Sequence, residues 1–355
     1  MNAPVSSSRQ VREVNFSDDR MIARIDAFVK EQRASIFHRP AWLKAVEAGT
    51  GQKAGGFVVE QLGVISGWLP LTLVRSALFG KALVSSGFGV GGGLCAASAE
   101  TERALIAAAQ DYALAHGFAS IELRGGALPD SEGWRQWDDK HCGFERDLAA
   151  DEDAQLLAIP RKARAEVRKS LKSDLSVRTG SSNEDLRAHY AVYSQSVRNL
   201  GTPVFPAELF RSMLIAFPQH SDILTVLDEG KPIASVLSFY HDGAVMPFWG
   251  GGTHAARGKR ANERMYYELM LHARARGMIR FDFGRSKTGS GPYSFKKNWG
   301  FEPKALSYAE WTAPAQTPRD VDPTSDAYAR RIELWKKLPL PLANFLGPKI
   351  SRGLA

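Results

Sequence analysis

The residues of this 355-residue chain best suited to chemistry lie close together, in Asp282-Phe283-Gly284-Arg285-Ser286 and in Phe295-Lys296-Lys297-Asn298-Trp299-Gly300, joined by the glycine-containing stretch Lys287 to Tyr293. Cations beside glycines at a strand end suit charge stabilisation on a phosphate or a tetrahedral oxyanion, where preorganised donors usually give the largest single catalytic contribution. Lys296, Arg285 and Asp282 are the candidate catalytic group. The competing reading keeps Asp282 as a structural partner of Arg280 or Arg285. Other chemistries find no foothold. The chain has no G-x-S-x-G, no H-E-x-x-H and no P-loop lysine, its eight histidines are scattered, and Cys95 and Cys142 lack metal-ligand spacing, so hydrolase and metalloenzyme readings fall away and no metal is expected.

The elements that must position these residues occur twice. Gly91-Gly92-Gly93, Gly117, Glu122 and Gly143-Phe144-Glu145 recur in order as Gly250-Gly251-Gly252, Gly277, Asp282 and Gly300-Phe301-Glu302, at offsets of 159, 160, 160 and 157 residues. A period this long marks a duplicated domain, since solenoid repeats run to roughly 20–50 residues. The copies differ where the second has Phe295-Lys296-Lys297 and the first aligns Asp138-Asp139-Lys140. Any basic chemistry there belongs to the second half.

Each copy reads as an antiparallel hairpin, a glycine-rich turn, a helix and a further strand. In copy 1 the hairpin spans Phe57 to Leu73, the helix Thr101 to His116 and the strand Ser120 to Leu123; in copy 2 the strands are Ile223 to Leu227, Pro232 to Tyr240 and Ala244 to Trp249, followed by a helix Ala261 to Arg276 and a strand Ile279 to Phe283. A helical crossover returns the chain in the same direction, so the strands flanking each helix should pair in parallel. The fold class is mixed α/β, two tandem halves each with a sheet flanked by helices. The division expected is 1–15 loose, 16–150 the first domain, 151–312 the second domain and the catalytic half in this reading, and 313–355 a linker and basic tail, in which Ala327 to Lys337 reads as a basic amphipathic helix broken by Pro339 and Pro341. Glycines at a strand end before a helix offer a phosphate cradle. Their alternative reading is a tight turn.

Net charge is +8, from 46 Lys and Arg against 38 Asp and Glu, and Arg161 to Lys172 holds six cations to one acid. Arg161, Lys162, Arg164 and Arg168 are therefore placed against an anionic partner, a small molecule or precursor, with tRNA or a lipid surface as alternatives and a solvated helix face as the plain reading. Dedicated single-strand nucleic-acid binding would want interleaved aromatics, and this stretch has none. Ser196 to Pro203 reads as a polar acceptor-side loop, with Arg198, Asn199 and Thr202 as its contacts. Two lone cysteines and no apolar leader or membrane-length run lead to an expectation of a soluble cytoplasmic protein, with Leu338 to Leu346 either packed on the body or resting at the inner membrane face.

Asp282-Phe283-Gly284-Arg285-Ser286, Phe295-Lys296-Lys297-Asn298-Trp299-Gly300, Phe37-His38-Arg39-Pro40-Ala41-Trp42-Leu43 and Pro160-Arg161-Lys162-Ala163-Arg164, with the tandem halves, resemble the FemAB/FemX family, and within it the FemAB-related proteins associated with PEP-CTERM exosortase and exopolysaccharide systems. The resemblance covers about residues 15–312. It implies two GNAT-like domains and transfer of an acyl or aminoacyl group to an amine, as in peptidoglycan bridge formation. It places Phe295, Lys296 and Lys297 at donor or acceptor phosphate, Asp282 on the amine, and Lys296 and Arg285 on phosphate or oxyanion. Trp249, His254 and Tyr293 are further substrate contacts in the same reading. The GNAT pyrophosphate signature appears in altered form as Arg257-Gly258-Lys259-Arg260-Ala261-Asn262, which assigns Arg257, Lys259 and Asn262 to donor phosphate and leaves acyl-CoA and aminoacyl-tRNA both open as donor; no tightly bound cofactor is expected. A non-catalytic GNAT-like binding module in an assembly system is the alternative.

Overall fold

The computed structural model describes residues 9–129, 131–317 and 326–355. These divide into two compact units, one from residues up to 138 together with those from 307 and with 352–355, the other from 139–306 and the helices ending at Ser351.

In chain order the first unit holds β1 (Gln10–Glu13), α1 (Asp19–Glu31), α2 (Pro40–Thr50), β2 (Lys53–Gln61), β3 (Val64–Ser76), β4 (Gly80–Ser85), β5 (Cys95–Ala96), α3 (Ala99–His116), β6 (Ser120–Arg124) and β7 (Trp134–Trp137). The second unit holds β8 (His141–Asp147), α4 (Glu152–Ala158), α5 (Arg161–Leu171), β9 (Leu175–Gly180), α6 (Asn183–Leu200), α7 (Ala207–Ala216), β10 (Ser221–Asp228), β11 (Lys231–His241), β12 (Ala244–Gly252), α8 (His254–Lys259), α9 (Ala261–Ala275), β13 (Arg280–Asp282), β14 (Ser286–Lys287), α10 (Gly291–Asn298) and β15 (Pro303–Ala305). Then β16 (Tyr308–Thr312) returns to the first sheet, and α11 (Asp326–Lys337) and α12 (Leu340–Ser351) follow.

Turn chemistry explains the hairpins. Leu62-Gly63, Glu229-Gly230 and Asp242-Gly243 each place two residues at positive φ, the backbone that two-residue hairpin loops demand. Crossover helices then set the parallel pairs: α3 joins β4 to β6 and α9 joins β12 to β13, each pair in parallel register. Both helices bury one stripe. Leu105, Ala109 and Ala113 of α3 pack on Leu69, Leu83 and Ile121, while Met265, Leu269 and Ala273 of α9 pack on Val236, Val245 and Phe281.

The mixed α/β reading therefore holds, with two sheets in the orders β1-β2-β3-β4-β6-β16-β7 and β14-β8-β13-β12-β11-β10-β9. Several boundaries do not. Strand β8 lies in the second sheet and β16 in the first, so the boundaries expected at 150 and 312 assign these two strands to the wrong units. The fourth landmark also shifts: Glu145 stands opposite Asp282, and the residue opposite Glu122 is Glu310, eight positions beyond the matched Glu302. A short glycine-phenylalanine-glutamate match outweighed the strand register, which sequence alone does not display.

Residues Gln10–Glu13 of the stretch expected to be loose pair with β2, while residues 1–8 lie outside the described residues. Ser196 to Leu200 close α6 instead of forming a loop, and Gly201 ends the helix at φ 85°. In the tail, α11 ends at Lys337, two residues before Pro339, so the chain breaks there as expected, and Pro341 then sits in the first turn of α12, where a missing N–H costs nothing. No helix among the described residues is long and apolar enough to cross a membrane.

Candidate active site in the second unit

Strand β12 creates the site by losing a neighbour. It pairs with β13 only at Ala244↔Arg280 and Val245↔Phe281, and beyond Val245 no strand covers that edge among the described residues. Phe248 is an extra residue between Pro247↔Ser238 and Trp249↔Leu237, a bulge that tolerates Pro247 and re-aims the following glycines. Those glycines allow close approach from both sides. A Cβ on Gly251 would lie 2.6 Å from Ser196 Cβ, and one on Gly252 would lie 2.6 Å from Asn262 Oδ1 and 2.9 Å from Ala256 Cβ.

A cavity of about 280 Å³ opens here. Ser196, Asn199 and Leu200 of α6 form one wall, and Gly250 to Gly252 form another. Thr253, His254 and Arg257 enter from the start of α8, Asn262 and Tyr266 from α9, Phe283 from the end of β13, and Gly291, Pro292, Phe295 and Lys296 from α10. Thr253 Oγ1 and Asn262 Oδ1 are shielded from solvent and have no hydrogen-bond partner among the described residues. Native interiors rarely leave such groups unpaired.

Lys296 is the buried cation of the site, 8% exposed. Its Nζ donates to Gly284 O and Arg285 O, each at 3.1 Å, and lies 5.3 Å from the Phe144 ring centre and 5.4 Å from that of Phe283. An ammonium has three N–H groups, so the two carbonyls leave one for a ligand. Burial pushes the Lys296 pKa down to about 8, against the pull of Asp282. Helix α10 holds the lysine in place. Ser290 caps its N-terminus by accepting from Tyr293 N–H, and Pro292 sits in its first turn. The glycine-containing stretch leading to Tyr293 is thus the end of β14, a turn and the opening of this helix.

Not every expected residue arrives. Asp282 and Arg285 do not line the cavity; Asp282 Oδ1 accepts from Gly284 N–H at 2.9 Å, and burial raises its pKa, with Glu145 across the strand adding to the rise. The alternation of the strand explains this, because Phe283 faces the cavity and Asp282 takes the opposite face with Arg280, which is ion-paired to Glu145. Trp249 is buried edge-on against Phe210 at 5.1 Å, a core residue. Arg198 donates to Lys336 O, Thr202 is exposed beyond α6, Lys259 pairs with Asp228 at 2.7 Å, and Tyr293 packs on Phe144 with Lys297 over its ring. Asn199, His254, Arg257, Asn262, Phe295 and Lys296 are brought together.

Arg161, Arg164 and Arg168 line a separate exposed groove of about 350 Å³ with Lys169 and Lys172, and Lys162 is not part of it. Sequence reasoning missed Thr253, Tyr266 and Phe283 as walls. Only Tyr266 carried a signal, one helical turn beyond Asn262.

At the matching strand end the first unit carries Arg124, which is buried. It is ion-paired with Glu122 and donates to Gly89 O and Ala355 O. A Cβ on Gly126 would lie 2.6 Å from Leu94 O, so the glycine loop there is closed on its own backbone.

Residues 160–297 match the family described as acetyltransferase (GNAT) domain. No curated protein matches the chain. Among solved structures it is similar to FemX, at 15% identity and TM-score 0.62 over 86% of this chain and 97% of that one. It is similar to a tandem GNAT protein from the clavulanic acid biosynthesis pathway, at 14% and 0.57 over 87% and 100%. The C-terminal domain of a putative lysylphosphatidylglycerol synthetase from Agrobacterium fabrum is similar at 13% and 0.57 over 84% and 93%. At these identities the likeness speaks to fold: two mixed sheets flanked by helices in the manner of tandem GNAT proteins, with a GNAT-type match on the unit that holds the cavity.

Proposed function

We propose that the protein is an N-acyltransferase that moves an acyl group from an activated donor to an amine in the cavity of the second unit. The observation that carries this reading is Lys296, a buried cation that lines the cavity and gives two of its three N–H groups to carbonyls, beside Thr253 Oγ1 and Asn262 Oδ1, which have no hydrogen-bond partner among the described residues. The oxygen that gains charge when an amine attacks an acyl carbonyl needs such a preorganised donor. His254 lines the cavity and is assigned to accept the proton that the amine releases. The uncovered edge of β12 suits an extended, amide-bearing donor arm, because an open strand edge binds extended chains through backbone hydrogen bonds. That favours an acyl-CoA over an aminoacyl-tRNA as donor, with Arg257 and Asn262 at its polar end.

The acceptor proposed is the amine of a cell-envelope or exopolysaccharide precursor, a reading supported by the FemAB resemblance and not by geometry. The PEP-CTERM association rests on the same support. The test is release of free thiol from acetyl-CoA and succinyl-CoA in the presence of fractionated amine pools. Lys296-dependent release is expected. Release from neither thioester, together with Lys296-dependent deacylation of charged tRNA, would transfer the reading to the aminoacyl donor; neither signal would return the chain to the binding-module class.

A further inference from the structure

The two C-terminal helices point their inner faces at α6 and leave a different chemistry outside. On α11, Ile332 and the stem of Lys336 press on Gly201, and Lys336 O accepts from Arg198. On α12, Asn344 donates to Ser194 Oγ, Gly347 lies against Val204, and Ser351 Oγ donates to Val204 O at 2.9 Å. The opposite face of α11 therefore runs through Leu334 with Arg330, Arg331 and Lys337 at helical spacings of three and four. Leu342, Phe345 and Lys349 form the matching outer stripe of α12 by the same spacing. Leu334, Leu342 and Phe345 are 67%, 43% and 61% exposed.

Four cations and three large apolar side chains thus share the outer stripes, and the exposed acid beside them, Glu333, is paired with Lys336 at 2.6 Å. Lys349 Nζ lies 3.9 Å over the Phe345 ring, its stem covering the aromatic while its charge stays outward. A protein partner would need a matched acidic, apolar surface; a bilayer with anionic headgroups supplies both properties without one. We propose that α11 and α12 form a docking face for an anionic membrane surface, with Leu334, Leu342 and Phe345 entering the headgroup boundary and the cations engaging lipid phosphates. Because the last turn of α6 also lines the cavity, docking would hold that opening one helix away from the lipid surface. The inference stands on this surface alone and does not need the catalytic reading.

The test is flotation of the full chain with phosphatidylcholine vesicles and with vesicles containing about one third phosphatidylglycerol. Binding is expected to the anionic vesicles, to fall at least tenfold at about 0.5 M salt, and to fall similarly in Leu342→Ser/Phe345→Ser and in Arg330→Glu/Lys337→Glu. All four positions are on the outside, and thermal unfolding of each variant would confirm an intact fold. Equal binding to both vesicles, or binding unchanged in either double variant, overturns the proposal. So does a vesicle-free dimer, seen by light scattering, that the same changes abolish, which would make this face an interface between copies of the chain.

Discussion

Glu145 of β8 stands directly across from Asp282 of β13, and the pair brings two half-buried carboxyl groups together at a strand junction. Burial, and next to it the charge of Glu145, raises the Asp282 pKa against the Gly284 N–H bond, Lys296 and Arg280. A carboxyl whose pKa is higher folded than unfolded adds stability that is complete below its ordinary range and is lost as pH rises through the folded value. Asp282→Asn keeps an acceptor for Gly284 N–H and cannot ionise. It should therefore gain stability over the parent at pH 7, by roughly 2–4 °C per kcal/mol relieved, and lose that advantage near pH 4. A melting difference that stays constant between those pH values would show that Asp282 is not perturbed.

Lys296 sets the second expectation. With its pKa pushed down to about 8, the ammonium is mostly present at neutral pH and disappears just above it. If its remaining N–H stabilises the oxyanion, the transfer rate should fall on the alkaline side of about pH 8, losing one proton's worth of activity per unit. Lys296→Met should remove that limb and cost about 2.7–4 kcal/mol, roughly a hundredfold or more in kcat. A rate that survives the substitution, or that keeps its alkaline limb without the lysine, would displace Lys296 from the mechanism.

Trp249 and Asn262 separate the core from the site. Both were read from the sequence as ligand contacts, yet Trp249 is packed among Phe210, Phe239 and Phe248. Trp249→Ala should destabilise the protein by about 3–5 kcal/mol, as deletions of large buried aromatics do. Asn262→Ala removes a buried, unpartnered acceptor, so it should leave the melting temperature nearly unchanged while raising the KM for the donor. Chemical denaturation and steady-state kinetics on the two variants would check this. The reverse pattern would mean that the cavity is not the donor site.

How far the sequence disclosed this arrangement follows from the range of each interaction. Hairpins and crossover helices are local, and Gly63, Gly230 and Gly117 announced them, whereas the Ser98 cap, which starts α3 two residues before the expected Thr101, was not read. Lys296 was legible because Phe295-Lys296-Lys297 has no counterpart in the first copy, and the helix carrying it is the element that differs. What stayed hidden depends on distant pairing. The places of β8 and β16 in opposite sheets, and hence the true partner of Glu122, are set by register across more than a hundred residues. Asp282 and Phe283 are adjacent in sequence and face opposite sides, and which side meets the cavity was decided by where α10 packs.

The exposed groove on α5 gives an electrostatic test. Arg161, Arg164 and Arg168 line it with Lys169 and Lys172, and the nearby acid Glu166 is already paired with Lys169 and Arg260. An anionic substrate held there should bind more weakly as salt rises, and Arg161→Glu/Arg168→Glu should weaken it at least tenfold at low salt while flattening the salt dependence. Titrations at two ionic strengths decide the matter. Binding indifferent to salt and to both substitutions would leave α5 as a solvated helix face.

Gly251 offers the sharpest test of the cavity's construction. Its hydrogen side faces Ser196, and a Cβ there would sit 2.6 Å from Ser196 Cβ, a distance that real side chains do not reach. Gly251→Ala must therefore push the last turn of α6 away from β12 or distort the bulge beside Phe248, and either shift displaces Asn199 and Leu200 from the cavity wall. Activity should drop at least tenfold, since displacements of about 1 Å near a reacting centre can cost a hundredfold. Ser196→Gly empties the space that the new methyl needs. The double variant Gly251→Ala/Ser196→Gly should recover most of the lost rate even though a glycine in the last turn of α6 lowers stability by about 0.5–1 kcal/mol. If the single change is silent, α6 and β12 do not jointly form the wall; if the double variant is as inactive as the single, the loss comes from the strand itself and not from the helix it supports.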